Sequence, residues 1–157
     1  MVKRRTILKA LAVVFAGLVV LVLAVWIAFV PSARESSYAF VKAWGGKGTA
    51  PGAFSDPTGL AIAGDELFVA DARNGRIQVF DLDGTFKRAF GKPGDKPGEL
   101  GRPMNLAIHD GALYVPEYFN DRIQVFSLDG TSERVIGRKG NGAGEFNYPT
   151  DVARSRD

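Results

Sequence analysis

Residues 71–84 read DARNGRIQVFDLDG, and residues 117–130 repeat this stretch as EYFNDRIQVFSLDG. The offset between the copies is 46 residues, as the step from Arg76 to Arg122 shows. A fixed period of 40–50 residues, in a chain rich in short apolar runs, is typical of the blades of a β-propeller. The chain therefore contains one structural unit that is used at least twice.

Each repeat alternates short apolar runs with turns rich in Gly, Asp and Asn, a pattern that predicts strands rather than helices. Asp-Gly between two apolar runs, as at residues 83–84 and 129–130, predicts a β-hairpin because glycine adopts a positive φ without steric cost. We therefore predict an all-β fold of β-propeller blades, each with four antiparallel strands. The predicted strands are 58–63, 66–70, 76–81 and 85–90 in one repeat, and 104–108, 112–115, 122–127 and 131–136 in the next.

The register of the repeat extends beyond these two copies on both sides. Counting back 46 residues from the strand at 85–90 predicts a lone outer strand at 38–44. Counting forward 46 residues from Pro103, where the second blade begins, predicts that a further blade begins at Pro149. Residues 38–157 thus hold about two and a half blades. The predicted divisions are an outer strand and linker at 38–56, blades at 57–102 and 103–148, and the start of another blade at 149–157.

The stretch 10–30 is uncharged and almost wholly apolar. As a helix it would be about 30 Å long, which matches the hydrocarbon core of a bilayer. Trp26 near its far end and Pro31 directly after it suit the end of a membrane-spanning helix. A cleaved signal peptide is the alternative, although its apolar region usually has only about 7–15 residues. We predict one transmembrane signal anchor at 10–30.

The basic residues before this stretch predict its orientation. Lys3, Arg4, Arg5 and Lys9 lie in a basic tip at 1–9, which the positive-inside rule keeps in the cytoplasm. Residues after the anchor would then cross the inner (cytoplasmic) membrane. The expected arrangement is a single-pass protein with a polar tether at 31–37 and a periplasmic, or otherwise extracytoplasmic, propeller.

The net charge of +3 belongs to this basic tip. Four of the 20 Lys and Arg residues lie before residue 10, so sixteen basic residues remain against seventeen acidic ones. A nearly neutral folded part gives no electrostatic case for binding nucleic acid. The chain has no cysteine, which excludes disulfides, thiolate metal sites and a cysteine nucleophile.

Four short motifs recur in both copies in the same order. They are Pro-x-x-Leu-Ala, Leu-(Phe/Tyr)-Val-x-(Asp/Glu), Asn-x-Arg-Ile-Gln-Val-Phe and Asp-Gly. Together they resemble the NHL repeat, and the resemblance covers residues 38–157. It implies a six-bladed β-propeller whose last blade often takes one strand from the N-terminal end, a role that 38–44 would fill. Six blades need roughly 280 residues, so we expect an incomplete propeller: a fragment, or an open piece that self-associates.

Two pairs of opposite charges recur at equivalent positions, Asp71 with Arg76 and Glu117 with Arg122. A catalytic or ligand-binding pair is one interpretation. A structural ion pair that fixes the loop is the preferred one, because a site that carries out chemistry needs one set of groups rather than a set in every blade.

Candidate partner-binding residues lie where the copies differ. In the family, the linkers between blades and the loops between second and third strands share one face of the disc. On that face Arg73 is replaced in the second copy by Phe119, which follows Tyr118, while Arg102 and Tyr148 end successive linkers. Exposed aromatics beside arginine suit a protein, peptide or glycan partner. The alternative is that Tyr118 and Phe119 only pack on a neighbouring blade.

Nothing in the sequence indicates a metal or a cofactor. His109 is the only histidine, and its place beside Asp110-Gly111 predicts a solvated turn residue. Amidating lyases that share this repeat hold a metal with several histidines, but none follows the prolines that begin the blades here. The glycine-rich stretches 91–98 and 137–144 lack the strand–loop–helix context of phosphate loops and are predicted to be linkers between blades.

We therefore expect a membrane-tethered, extracytoplasmic propeller that acts as a binding scaffold, and the residues present favour no enzymatic activity. The alternative is an extracytoplasmic metal-dependent lyase, similar to the peptidyl-hydroxyglycine amidating lyases, or a lactonase-like enzyme. Its catalytic residues would lie in blades absent from this sequence. The RNA-binding role of some cytosolic family members is disfavoured by the neutral charge and the apolar N-terminal segment.

Overall fold

The computed structural model describes residues 19–22 and 39–153. The chain divides into two units, Met1–Lys42 and Ala43–Asp157. In the first unit, residues 19–22 are helical and residues 39–42 have no regular secondary structure. No helix among the described residues is long and apolar enough to cross a membrane. The predicted tip 1–9, anchor 10–30 and tether 31–37 lie outside the described residues, except for 19–22.

The second unit contains two four-stranded antiparallel sheets, each with its strands in chain order. The all-β prediction and the blade of four antiparallel strands are confirmed. The first sheet has β1 (Pro57–Ala63), β2 (Glu66–Asp71), β3 (Arg76–Asp81) and β4 (Phe86–Phe90). The second has β5 (Ala107–His109), β6 (Ala112–Glu117), β7 (Arg122–Ser127) and β8 (Ser132–Ile136).

The strand β5 begins three residues later than the predicted 104–108. In the first sheet the equivalent pairing joins Gly59 to Ala70. The residue that replaces Ala70 in β6 is Pro116, which has no amide hydrogen to donate to a ladder. The amide of Asn105 instead donates to the carbonyl of Thr150, 3.2 Å away. The proline therefore shortens β5, although Pro103 and the amide of Met104 still pair with Glu117 and with the carbonyl of Pro116.

The predicted outer strand at 38–44 has no strand assignment in its described residues, 39–44. An extended segment needs a neighbouring strand to satisfy its backbone groups. None of the described strand pairs includes these residues. The side chain of Trp44 nevertheless packs on Phe80, with ring centroids 4.6 Å apart.

The contact between Trp44 and Phe80 recurs one repeat later between Phe90 and Phe126, whose ring centroids are 5.4 Å apart. A Cβ at Gly130 would lie 2.5 Å from the Phe90 ring, so this turn needs glycine for space as well as for its φ of 97°. Trp44 and Phe90, at equivalent positions in consecutive repeats, thus each pack against the sheet that follows them in the chain.

The main hydrophobic core lies between the two sheets. One face of β1–β4 supplies Phe68, Ala70, Ile77 and Val79, and the facing side of the second repeat supplies Leu106, Leu113, Val115 and Phe126. A second core covers the far face of β5–β8, where Tyr114, Ile123 and Val125 contact Phe146 and Val152. Consecutive repeats are therefore held together by buried apolar faces, as in stacked propeller blades.

The outward face of the first sheet is exposed along β1 in the described part of the chain. Leu60 is 62% exposed, whereas Leu106, at the same position one repeat later, is 6% exposed. Ile62 is likewise 62% exposed. The same repeat position is thus a core residue in one blade and a surface residue in the other.

Candidate functional site

Two buried carboxylates fix the linkers that lead into the two sheets. Asp71, at the end of β2, is fully buried and accepts a hydrogen bond from the backbone amide of Ser55 at 2.7 Å. Arg76 Nε donates to the same carboxylate at 2.8 Å, and its Nη2 donates to the carbonyls of Ala50 and Ala53. Gln78 donates to it at 3.2 Å. The carboxylate and its arginine thereby tie the preceding linker to the strand ends.

The second repeat builds the same arrangement around Glu117, which is also fully buried. Its carboxylate accepts from the amide of Gly101 at 2.7 Å and from Asn120 Nδ2 at 2.5 Å. Arg122 Nε donates at 2.6 Å and Gln124 Nε2 at 2.7 Å. The four residues predicted to form recurrent pairs thus lie in networks that satisfy buried charge and fix backbone.

A left-handed residue precedes the proline that begins each repeat. Asp56, Arg102 and Tyr148 have φ values of 60°, 59° and 53°, and they are spaced 46 residues apart. Residues other than glycine seldom adopt this conformation. Because the turn recurs in all three linkers, its backbone geometry belongs to the scaffold. The side chain that it displays differs each time, being acidic, basic or aromatic.

The structure brings all five predicted partner-binding residues together with Asp56. We call this set the rim cluster. Arg102 Nη2 lies 3.2 Å from Asp56 Oδ2, and Arg73 Nε lies 3.5 Å from the same oxygen. The guanidinium of Arg102 is also 5.6 Å from the ring centroids of both Tyr118 and Phe119, which is cation–π distance. The rim cluster consists of Asp56, Arg73, Arg102, Tyr118, Phe119 and Tyr148.

The aromatic members of the rim cluster differ in exposure and in contacts. Tyr118 stacks on Tyr148, with ring centroids 4.9 Å apart and an angle of 29° between the planes. Tyr148 is positioned by its backbone amide, which donates to Asp121 at 2.7 Å. Phe119 is 62% exposed and meets Tyr118 edge-on at 5.4 Å. Phe119 is therefore not part of the hydrophobic core, and its ring is exposed to solvent.

Sequence reasoning missed Asp56 as a member of the rim cluster. Its side chain holds both arginines, but its own loop carries no motif that marks it. The one sequence feature that could have identified Asp56 is its position 46 residues before Arg102. The offset shows that the two residues occupy equivalent linker ends in neighbouring blades.

Part of the rim cluster borders a cleft of about 690 Å³ between the two repeats. This volume lies within the range of about 300–1,000 Å³ common for ligand sites. A Cβ on Gly75 would lie 2.9 Å from Pro93, so the close approach of these two loops requires glycine. The cleft is lined by Ala72, Arg73, Gly75, Pro93, Gly94, Asp95, Leu100, Gly101, Arg102, Phe119 and Asn120.

The only histidine lies away from the rim cluster, at the end of β5. His109 Nε2 is 2.8 Å from Asp110 Oδ2, and its side chain is 24% exposed. Among residues 19–22 and 39–153, no three His, Asp or Glu side chains converge as a metal site would require.

The Glu66 carboxylate, whose pKa is strongly lowered, lies at the opposite end of β2 from Asp71. Arg88 hydrogen bonds to both oxygens of Glu66 at 2.7 Å, and Lys87 Nζ lies 2.5 Å away. These cations, Arg88 first, lower the pKa of Glu66 to about 2. Arg88 Nη2 also donates to the carbonyl of Leu128 in the other repeat at 2.7 Å. This ion pair is therefore a structural connection between blades.

The sheets, the 46-residue repeat and the linker networks define the class of the chain as a β-propeller built of blade repeats. The family comparisons agree. Residues 54–80 match the family model described as NHL repeat, and residues 99–153 match one described as 6-bladed beta-propeller. The predicted resemblance to the NHL repeat family is confirmed by these matches. No curated protein matches the chain.

Solved structures similar to the chain include the following two, both at low sequence identity. One is virginiamycin B lyase from Staphylococcus aureus, with 20% identity over 49% of this chain and a TM-score of 0.39. Another is the computationally designed Ika8 protein, with 18% identity over 57% of this chain and a TM-score of 0.34. The chain spans 25% of the length of each of these structures.

Proposed function

We propose that this chain belongs to a membrane-tethered, extracytoplasmic β-propeller that binds a protein or peptide partner through the rim cluster. The observation that carries the proposal is the rim cluster itself. Arginine and aromatic side chains are the residues that most often dominate binding energy at protein interfaces. Here they come from separate linkers and loops, and the buried networks of Asp71 and Glu117 hold those segments in place.

The exposure of the cluster supports a binding role over a purely structural one. Phe119 and Tyr148 are 62% and 52% exposed. A residue that only packs on a neighbouring blade would be buried, as Phe126 is. The loops also sit on a rigid scaffold of paired strands, which is the usual placement of binding residues.

The test is residue-dependent binding by the full chain in mild detergent. A photo-reactive phenylalanine analogue at Phe119 would be used to capture a partner, which is then purified and titrated against the wild type and variants. Phe119→Ala and Tyr148→Ala should each weaken binding at least fivefold. Leu82→Ala, a change at a residue that is 57% exposed but lies in a distant hairpin turn, should not. Equal affinity of all three variants for the partner would contradict the proposal.

The membrane anchor and the orientation are part of the same proposal, supported by the apolar stretch 10–30 and the basic residues before it. Because the chain has no cysteine, single cysteines report topology without background. Ser36→Cys should react with a membrane-impermeant maleimide in cells whose inner membrane is intact, and Thr6→Cys only after lysis. The reverse labelling pattern, or release of the protein from membranes by salt alone, would contradict this orientation and anchor.

A further inference from the structure

The guanidinium of Arg73 is the most available charged group in the rim cluster. Its side chain is 70% exposed. Among the described residues its side-chain hydrogen bonds go to Asp56 alone, through Nε at 3.5 Å, the limit of a hydrogen bond. A guanidinium has five N–H donors in a planar fork, so the terminal donors of Arg73 remain free for a ligand.

The charge beside Arg73 is unbalanced. Asp56 Oδ2 accepts from both Arg73 and Arg102, so one carboxylate faces two guanidinium groups. Arg102 is held in this position by Asp56 and by the rings of Tyr118 and Phe119. The acidic residue that lines the cleft itself is Asp95, which lies in the linker that forms another wall. The surplus positive charge is therefore local to the side of the cleft where the two arginines meet.

An exposed aromatic surface adjoins this positive charge. Phe119 and Arg73 line the same cleft, and the contacts run without a gap from Arg73 through Asp56 and Arg102 to Phe119. A ligand at this place meets a planar cation and an apolar ring together. Planar carboxylates match a guanidinium fork with two parallel hydrogen bonds, and apolar side chains match the ring.

We infer that the cleft binds an acidic peptide segment in which a carboxylate side chain lies next to an aromatic or large apolar one. The carboxylate pairs with Arg73 and the apolar side chain packs on Phe119. This inference rests on the proposed function, since it names the chemistry of the partner that the rim cluster takes. A neutral segment would leave the charge of Arg73 unused, and a basic segment would be repelled by it.

The experiment uses three capped synthetic peptides as probes, titrated by fluorescence anisotropy into the full chain in mild detergent. They carry Phe-Asp, Phe-Asn or Ala-Asp between glycines. The Phe-Asp peptide should bind about fivefold more tightly than the Phe-Asn peptide, the size expected of one exposed ion pair. The Ala-Asp peptide should bind at least as weakly as the Phe-Asn peptide. The preference for Phe-Asp should decrease as salt is added, because exposed charges are screened.

Variants separate the inference from the proposed function. Arg73→Gln should abolish the preference for Phe-Asp over Phe-Asn. Arg138→Gln replaces an exposed arginine outside the cleft and should preserve that preference. Equal binding of Phe-Asp and Phe-Asn that still depends on Phe119 would overturn the inference and leave the proposed function intact. If neither the Phe-Asp nor the Phe-Asn peptide binds, the result would count against both the inference and the proposed function. A third outcome is that no peptide binds but oligogalacturonate does, in a manner that depends on Arg73. The ligand would then be an acidic glycan, and the inference would be overturned.

Discussion

Arg102 and Asp56 occupy the same position in consecutive repeats, and their side chains lie 3.2 Å apart between the two repeats. Both residues have a left-handed backbone, and each is followed by the proline that begins a repeat. A single turn geometry, used twice, thus places opposite charges face to face. The sequence difference between the copies, acid in one and base in the other, creates a contact that two identical repeats would not have.

The substitution Asp56→Asn tests this contact. Asparagine tolerates the left-handed backbone, so the turn should persist while the charge is lost. Because the Asp56 and Arg102 side chains are 38% and 33% exposed, the loss of unfolding free energy should stay below about 1 kcal/mol. Affinity for the Phe-Asp peptide should rise, since both arginines lose their competing carboxylate. Urea denaturation and anisotropy measure the two effects.

The matching control for this variant is Asp65→Asn, in the turn between β1 and β2, which should leave peptide affinity unchanged. Weaker binding of the acidic peptide by Asp56→Asn would show that Asp56 positions the arginines rather than competing for them.

The substitution Glu117→Gln should be much more damaging, because Glu117 is fully buried and its carboxylate is met by four donors. An amide in its place leaves Arg122 with a buried, uncompensated charge and turns an N–H toward other donors. The expected loss of unfolding free energy is about 2–4 kcal/mol. Thermal or urea denaturation of the full chain followed by circular dichroism measures it.

Glu133→Gln is the matched control for that measurement, since Glu133 is an exposed residue of β8 and should change stability by less than about 0.5 kcal/mol. The variant at 117 should also weaken peptide binding, because the Gly101 amide that it releases lies in the wall of the cleft. Equal stability of the two variants would mean that the buried network does not fix the linker.

The strands were predictable where local chemistry decides them. β3 and β7 have the predicted bounds, 76–81 and 122–127, because an apolar run lies between a loop and an Asp-containing turn in both copies. β5 was predicted too early because a proline in the neighbouring strand decides where its ladder begins. That effect requires knowing which residue of β6 faces Asn105, and no local pattern contains this information.

The rim cluster was predictable only in part. The positions where the copies differ identified Arg73, Arg102, Tyr118, Phe119 and Tyr148 from the sequence. Their arrangement depends on the distance between blades and on the left-handed turn before each proline. The sequence could therefore name these side chains but could not show that Asp56 joins two of the arginines.

The pH dependence of stability should reflect Glu66. Its pKa is about 2 in the folded chain, against about 4.3 for an unperturbed glutamate. Because the folded-state pKa is the lower one, the stabilisation is fully present above about pH 5 and is lost as the pH falls toward 2. The wild type should exceed Glu66→Gln by about 1–3 kcal/mol at pH 6. Urea denaturation at pH 6, 4 and 2.5 should show this difference shrinking stepwise, whereas a constant difference would assign the effect to packing instead of charge.

Leu60 and Leu106 provide a matched pair for the packing between blades. They occupy the same repeat position, but Leu106 is buried in the core between the sheets and Leu60 is mostly exposed. Leu106→Ala should reduce the unfolding free energy of the full chain by about 2–4 kcal/mol, because it removes buried apolar volume. Leu60→Ala should change it by less than about 0.5 kcal/mol. Urea denaturation of both variants under the same conditions, at several protein concentrations, makes the comparison. A large and concentration-dependent cost for Leu60→Ala would show that another copy of the chain covers this face in solution.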